Sequence, residues 1–275
     1  MEEAAVADWA ASLRTGDGCE VSPQVIGVHS GRPLLRHVPG PRLDVRIRTS
    51  EQPSRLIKAA GRTLATVHHA TPPAGLHGQA AFEHPPWDPV ALETHLGFSA
   101  AQRRILGALH GDRELRSRGR LVRDRLQEHA TPCHGDARTA NFCVTDSSVP
   151  VLIDWEAAGW GSPAGDMAAL CGALLADLLV STATPDETTP RASLATAVER
   201  WTTVVRAALA GYRQVGGGDP GAGGLLGPAV GSALLVRAFV RAAYTVYDRS
   251  VACMHEVGAS LLRAPERWRT IDARD

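Results

Sequence analysis

Asp136, Asn141 and Asp154 are oxygen-bearing side chains gathered in one short stretch, and their types suit two jobs at once. Carboxylate and amide oxygens hold a hard divalent cation, and a further carboxylate can orient a hydroxyl and take its proton. In-line transfer of a phosphoryl group from a nucleotide needs that combination, because it asks little covalent work of the protein and much positioning. Asp136 suits the proton-accepting role, and Asn141 and Asp154 suit the metal. Each residue alone has a plainer reading: Asp136 capping a turn, Asn141 starting a strand, Asp154 ending one.

The spacing is the stronger argument. Asn141 follows Asp136 by five positions, as Asn follows Asp in the kinase catalytic loop H-R-D-x-x-x-x-N. Residues 132–146 read as a loop feeding a short strand, and 149–156 as a second strand ending in acids. Paired as a hairpin, the two strands return Asn141 and Asp154 to the same end, where a metal could bridge them.

At these residues the sequence resembles the aminoglycoside phosphotransferase and choline kinase family. That family's signature is a His-Gly-Asp loop with a downstream Asn, then an Ile-Asp-Trp/Phe segment; here they read HGDARTANF and LIDWEAAGWGSPAGDMA. The resemblance implies an α/β (α+β) protein-kinase-like fold using magnesium (Mg2+) and ATP or GTP. It implies Asp136 as catalytic base, Asn141 and Asp154 as metal ligands, Asp166 as a buried brace for the loop, and His134 as structural at the site. LLRHVPG at 34–40 looks like the hinge strand between lobes, so backbone groups around Arg36, His37 and Val38 would face adenine. GRTLATVHHA at 61–70 looks like the helix after it.

The chain departs from that pattern at its start. Only an opening helix and one hairpin precede the hinge, so residues 1–40 read as a remnant of the amino-terminal lobe with the hinge. Residues 41–275 then form a mainly helical catalytic and acceptor-binding lobe containing the catalytic β-hairpin. A complete small lobe carries a phosphate-covering loop and a lysine that pairs with a helix glutamate. Lys58, the single lysine among 29 basic residues, lies beyond the hinge; Glu2 or Glu3 could serve as the pairing glutamate. Three explanations stay open: a start further upstream, a partner protein completing the lobe, or an arginine acting on phosphate, with Arg138 the nearest. The acceptor would be a small-molecule hydroxyl, as in aminoglycosides, or Ser/Thr of a precursor peptide, since the chain also resembles, more weakly, the kinase subunits of lanthipeptide and thioamide-peptide (RiPP) biosynthesis. The rival reading is a pseudokinase or scaffolding subunit that serves a partner.

The elements that must position these residues follow from periodicity. Residues 2–14 predict a helix, 24–28 and 32–38 a hairpin turning at 29–31, and 53–69 an amphipathic helix with Pro53 in its first turn. Residues 71–89 read as an irregular connector, 89–110 and 113–129 as helices, and 164–182, 190–214, 226–247 and 249–263 as a helical remainder broken at 182–190 and at the glycine-rich 216–224. His110-Gly111-Asp112 repeats the loop tripeptide but has Ser117 where Asn should stand, which marks it as chance at a helix end. His68 and His69 read as packing or capping groups and Trp155 and Trp160 as core anchors, with Trp160 also placed to stack on an acceptor. Cys133 and Cys143 read as structural thiols, and Glu156 as a second ligand or a solvated acid.

Bulk composition narrows the class. The 275 residues are 44% hydrophobic and 21% charged, an ordinary globular balance. Twenty-nine basic residues match 29 acidic ones, which leaves no wide footprint for nucleic acid. The five cysteines include no CxxC pair, which argues against a disulfide framework or zinc site and for a reducing, cytoplasmic setting. No secretory pattern opens the chain, and no apolar run is expected to span a membrane.

Overall fold

The computed structural model describes residues 3–128, 131–182, 190–216 and 218–272. Its amino-terminal part is built from α1 (Glu3–Ser12) and an antiparallel hairpin of β1 (Val25–His29) and β2 (Arg32–Leu35). The hairpin turns through Ser30 and Gly31, both at positive φ, the twist that two-residue turns demand. α1 buries Val6, Ala7 and Ala10. Its Trp9 donates to the Thr71 carbonyl at 2.9 Å and meets Trp155 edge-on at 6.2 Å, which ties the helix to the body.

Past the hairpin the chain forms α2 (Leu43–Thr49) and α3 (Pro53–His69). α3 keeps its expected bounds because Leu56, Ile57, Ala60, Leu64 and Val67 form one buried stripe behind a first-turn proline. α2 was not expected: seven residues are too few to display a period, and it is placed by burying Leu43 and Ile47. The single helix expected over 89–110 is instead α4 (Leu92–Gly97) and α5 (Ala100–Gly111). Ser99 separates them, its hydroxyl capping Gln102 while the Gln102 side chain returns the bond, a capping box that starts a new helix. α6 (Arg113–Gln127) follows, capped by Asp112.

Next come four three-residue strands in two pairs. β4 (Phe142–Val144) and β5 (Pro150–Leu152) make the anticipated antiparallel hairpin. β3 (Thr131–Cys133) and β6 (Gly159–Gly161) form a second antiparallel pair that the sequence did not announce. The connector packs beside β6, with a parallel bridge from Gln79 to Trp160 and a hydrogen bond from Ala80 N–H to the Trp160 carbonyl at 2.8 Å.

The remainder is helical: α7 (Pro163–Thr182), α8 (Pro190–Arg213), α9 (Leu226–Arg241), α10 (Arg249–Arg263) and α11 (Trp268–Asp272). α9 stops six residues short of the expected 247. Residues 183–189, most of the anticipated break at 182–190, lie outside the described residues, as does 217 in the glycine-rich stretch. α7 is long and apolar enough to cross a membrane by length and composition, which corrects the expectation that no such run exists. Sixty-seven per cent of that stretch is buried inside the protein, and a helix enclosed by neighbours is apolar all round for that reason.

Candidate active site

Asp166 lies in the first turn of α7, fully buried. Its Oδ2 accepts from the His134 N–H at 2.7 Å and its Oδ1 from the Gly135 N–H at 2.8 Å. His68 Nε2, on α3, reaches Oδ2 at 3.0 Å, and His68 Nδ1 meets the Tyr212 hydroxyl of α8 at 2.9 Å. Burial alone would raise the Asp166 carboxyl, but the hydrogen bond and charge of His68 lead the effects that hold it below its ordinary value. The loop from His134 to Asp136 is thus tied by buried bonds to three helices.

His134 stands inside this arrangement as a neutral ring. Nε2 donates to the Ile153 carbonyl at 2.8 Å, Nδ1 accepts from the Asp136 N–H at 3.2 Å, and burial lowers its pKa. Gly135 follows at φ 88°, and a Cβ there would lie 2.1 Å from the Ala157 carbonyl oxygen, so the turn admits only glycine.

Asp136, Asn141 and Asp154 are brought together as the spacing requires. Asn141 Nδ2 donates to the Asp136 carbonyl oxygen at 2.8 Å and to Asp136 Oδ2 at 2.9 Å, so its own Oδ1 points elsewhere. The Ile153 N–H bonds to the Asn141 carbonyl at 2.9 Å, which sets Asp154 beside Asn141 at the open end of the β4–β5 hairpin. Asp154 adopts a left-handed conformation, φ 68° and ψ 68°, a costly state for a non-glycine residue and one that re-aims its carboxylate. Burial raises the Asp136 carboxyl; Arg138 and the Asn141 hydrogen bond oppose this, while the charges of Asp154 and Asp166 add to it.

Arg138 Nε lies 3.1 Å from Asp136 Oδ2, an ion pair without hydrogen-bond alignment. Arg36, His37 and Val38 form the extended stretch after β2. Arg36 holds Glu20 at 2.6 Å, and its backbone N–H donates to the Gln24 carbonyl at 2.8 Å. Two residues on, Gly40 sits at φ 129°, where a Cβ would be 1.9 Å from the Val144 carbonyl oxygen. Pro41 accepts from the Val144 N–H at 2.9 Å, so this stretch is sewn directly to β4. Burial, and after it the charges of Glu156 and Asp154, raise the carboxyl of Glu3 on α1, with Arg32 opposing them. Glu2 lies outside the described residues. Lys58 sits on α3 where α8 crosses it at Gly211.

Asp112 and the two tryptophans fit their plainer readings. Asp112 of the repeated tripeptide caps α6 through the Leu115 N–H at 2.8 Å and pairs with Arg263 at 2.6 Å. Trp155 donates to Ser22 Oγ at 3.0 Å and Trp160 to the Leu76 carbonyl at 2.9 Å, so both are anchors. His68, Cys133 and Asp166 bring donor atoms within 4.8 Å of one another. His68 has protein partners for both ring nitrogens and Asp166 for both carboxylate oxygens, so these two belong to the hydrogen-bond network that holds the loop, and burial pushes the Cys133 thiol beside them well up. Sequence reasoning missed Tyr212, and it read Asp177 as a surface acid, whereas Asp177 Oδ2 accepts from Thr139 Oγ1 in the loop after Asp136 at 2.7 Å.

Residues 1–213 match the model of the phosphotransferase enzyme family. Among solved structures the chain is similar to a choline/ethanolamine kinase family protein from Mesorhizobium loti, with 16% identity over 98% of this chain and 81% of that one at a TM-score of 0.48. It is similar also to a microcompartment-associated aminopropanol kinase, with 17% identity over 99% and 83% and a TM-score of 0.48. An aminoglycoside phosphotransferase from Alicyclobacillus acidocaldarius shares 18% identity over 92% and 79% at a TM-score of 0.45. No curated protein matches the chain.

Proposed function

The chain belongs to the phosphotransferase enzyme family, and from that premise we propose that it transfers the γ-phosphoryl group of ATP to a hydroxyl of a small molecule, with Asp136, Asn141 and Asp154 as its chemical centre. The observation that carries this reading is the way Asn141 divides its amide. Nδ2 fixes both the backbone and the carboxylate of Asp136, which turns Oδ1 away from Asp136 as a hard oxygen donor, and the Ile153 N–H bond to the Asn141 carbonyl brings the chain at Asp154 to the same end of the hairpin. Two such oxygens fit magnesium, which supplies charge neutralisation on the phosphate oxygens when bound.

The rest falls to the chain's own groups. Asp136 accepts the acceptor's proton as its oxygen bonds to the γ-phosphorus and the bond to the β–γ bridging oxygen breaks. The clamp from Asn141 aims that carboxylate, and Asp166 holds the loop backbone beneath it. Arg138, paired to Asp136 and partly exposed, is placed to turn its guanidinium toward an incoming phosphate. Backbone groups of Arg36, His37 and Val38 take the adenine edge, on the face that Gly40 and Pro41 bind to β4. Residues 1–40 then act as the nucleotide side and 41–275 as the catalytic and acceptor side.

Asp136→Ala and Asp154→Ala each lower phosphoryl transfer by about a thousandfold or more, with thermal unfolding close to wild type. Turnover measured as acceptor-dependent ADP release checks this. Undiminished turnover in either variant would remove the mechanism.

A further inference from the structure

A cavity of about 270 Å³ opens between α2, α3, α7 and α8, and none of Asp136, Asn141 and Asp154 lines it. One buried water needs roughly 10–15 Å³ of such space and drug-sized sites start at about 300 Å³, so the cavity suits one compact organic molecule. Ile47, Ile57, Leu174, Leu178 and Val204 make its walls apolar.

A carboxylate interrupts that lining. Asp177 Oδ2 accepts from Thr139 Oγ1 at 2.7 Å, and Oδ1 accepts from nothing among the described residues. Burial raises this carboxyl; the Thr139 hydrogen bond opposes the rise, the charge of Asp44 adds to it, and the charges of Arg48 and Arg42 oppose it. Asp44 Oδ2 is paired with Arg42, while its enclosed Oδ1 also lacks a donor among the described residues. Arg48 and Arg200 reach the lining from exposed positions, and among the described residues neither forms an ion pair with Asp177. The cavity therefore presents a half-satisfied carboxylate, with a second acid close by, in apolar surroundings where uncompensated charge is costly.

Those surroundings choose the occupant. An anion would set like charge beside Asp177, and a neutral hydrocarbon would leave Oδ1 without a donor. An ammonium on an apolar body supplies the missing charge and donors and fills the walls as well.

We propose that this cavity is an effector site for a compact apolar amine, with its ammonium on Asp177 Oδ1 and its hydrocarbon between α3 and α8. Asp177 passes the effect on through Thr139, two positions before Asn141. The binding stands by itself; its bearing on the reaction rests on the reading of Asn141 as a metal ligand.

The test titrates 2-phenylethylamine, 2-phenylethanol and 3-phenylpropionate into the wild-type chain at about pH 7.5, followed by thermal unfolding and calorimetry. The amine is expected to bind about tenfold or more tightly than either control. Asp177→Asn, which keeps an acceptor for Thr139, should cost the amine about tenfold or more in affinity and leave the alcohol within about twofold. Val204→Phe, which fills the cavity, should remove both; if Asp177→Asn fails to fold, this variant and the wild-type ranking decide. With the amine saturating, the magnesium–ATP dissociation constant should shift about threefold or more in wild type and not in Thr139→Val, which cuts the link. Equal binding of amine and alcohol, preference for the propionate, no binding of any of the three, an amine affinity unmoved by Asp177→Asn or Val204→Phe, or a nucleotide constant indifferent to bound amine overturns the inference. Amine binding as expected in a chain that magnesium and ATP do not stabilise keeps the site, and overturns the effector role together with the reading of Asn141.

Discussion

The β1–β2 hairpin and the loop from His134 to Asn141 are both short and built around turns, yet they are held by different physics. The hairpin leaves Ile26 69%, Val28 58% and Leu34 48% exposed, so among the described residues its outer face is uncovered. The loop from His134 to Asn141 hangs from a buried carboxylate, two histidines and a tyrosine drawn from α3, α7 and α8. Positional accuracy in this molecule therefore resides in the helical body, and the residues proposed for chemistry keep their geometry whatever the hairpin does.

Removing the brace should break the contrast most severely. Asp166→Ala leaves the His134 and Gly135 N–H groups and the His68 ring without their acceptor in a dry interior. A loss of about 3–5 kcal/mol is expected, or roughly 10 °C in thermal unfolding, with activity lost alongside. A variant with unchanged unfolding would show that the loop is held some other way.

A smaller, pH-dependent effect should come from Asp177, which supports the loop from below through Thr139. Burial pushes its carboxyl up to about 6, above the ordinary 3.8, against the Thr139 hydrogen bond. Between those values the folded protein binds more protons than the unfolded chain, so its stability falls as pH rises through that window. Asp177→Asn keeps an acceptor for Thr139 without the buried charge. It should raise the melting temperature by roughly 2–4 °C near neutral pH, with the gain shrinking toward about pH 5. A gain independent of pH would contradict the assignment.

The smallest effect belongs to the hairpin. Ile26→Thr and Val28→Thr should each change stability by no more than about 0.5 kcal/mol, measured by denaturant unfolding. A larger loss would mean that the exposed face is covered in the folded protein and that the two regions differ less than their burial suggests.

How much of this was legible follows the reach of the interactions. The grouping of His134, Asp136, Asn141 and Asp154 is written in local spacing, because a loop and a three-residue hairpin carry it. The turn at Ser30-Gly31 and the bounds of α3 were equally readable, each set by chemistry within a few residues. The Ser99–Gln102 capping box was also local, yet the apolar run on either side masked the break it makes. His68 was read only as packing because its partners Asp166 and Tyr212 lie 98 and 144 residues away. The ion pair of Arg237 with Glu83 was hidden by distance too, since its members lie 154 residues apart. Strands β3 and β6 were invisible for the same reason, since they pair with each other across the whole loop and the β4–β5 hairpin with no turn to join them.

The central claim is that Asn141 and Asp154 build a metal–nucleotide site on this rigid body, and thermal unfolding of wild type and Asp154→Ala titrated with ATP and magnesium tests it most directly. The account predicts that wild type gains about 2.7 kcal/mol at a hundredfold excess over its dissociation constant, and that the magnesium-dependent part of the gain disappears in the variant. Equal stabilisation of both proteins, or none of the wild type, would contradict it.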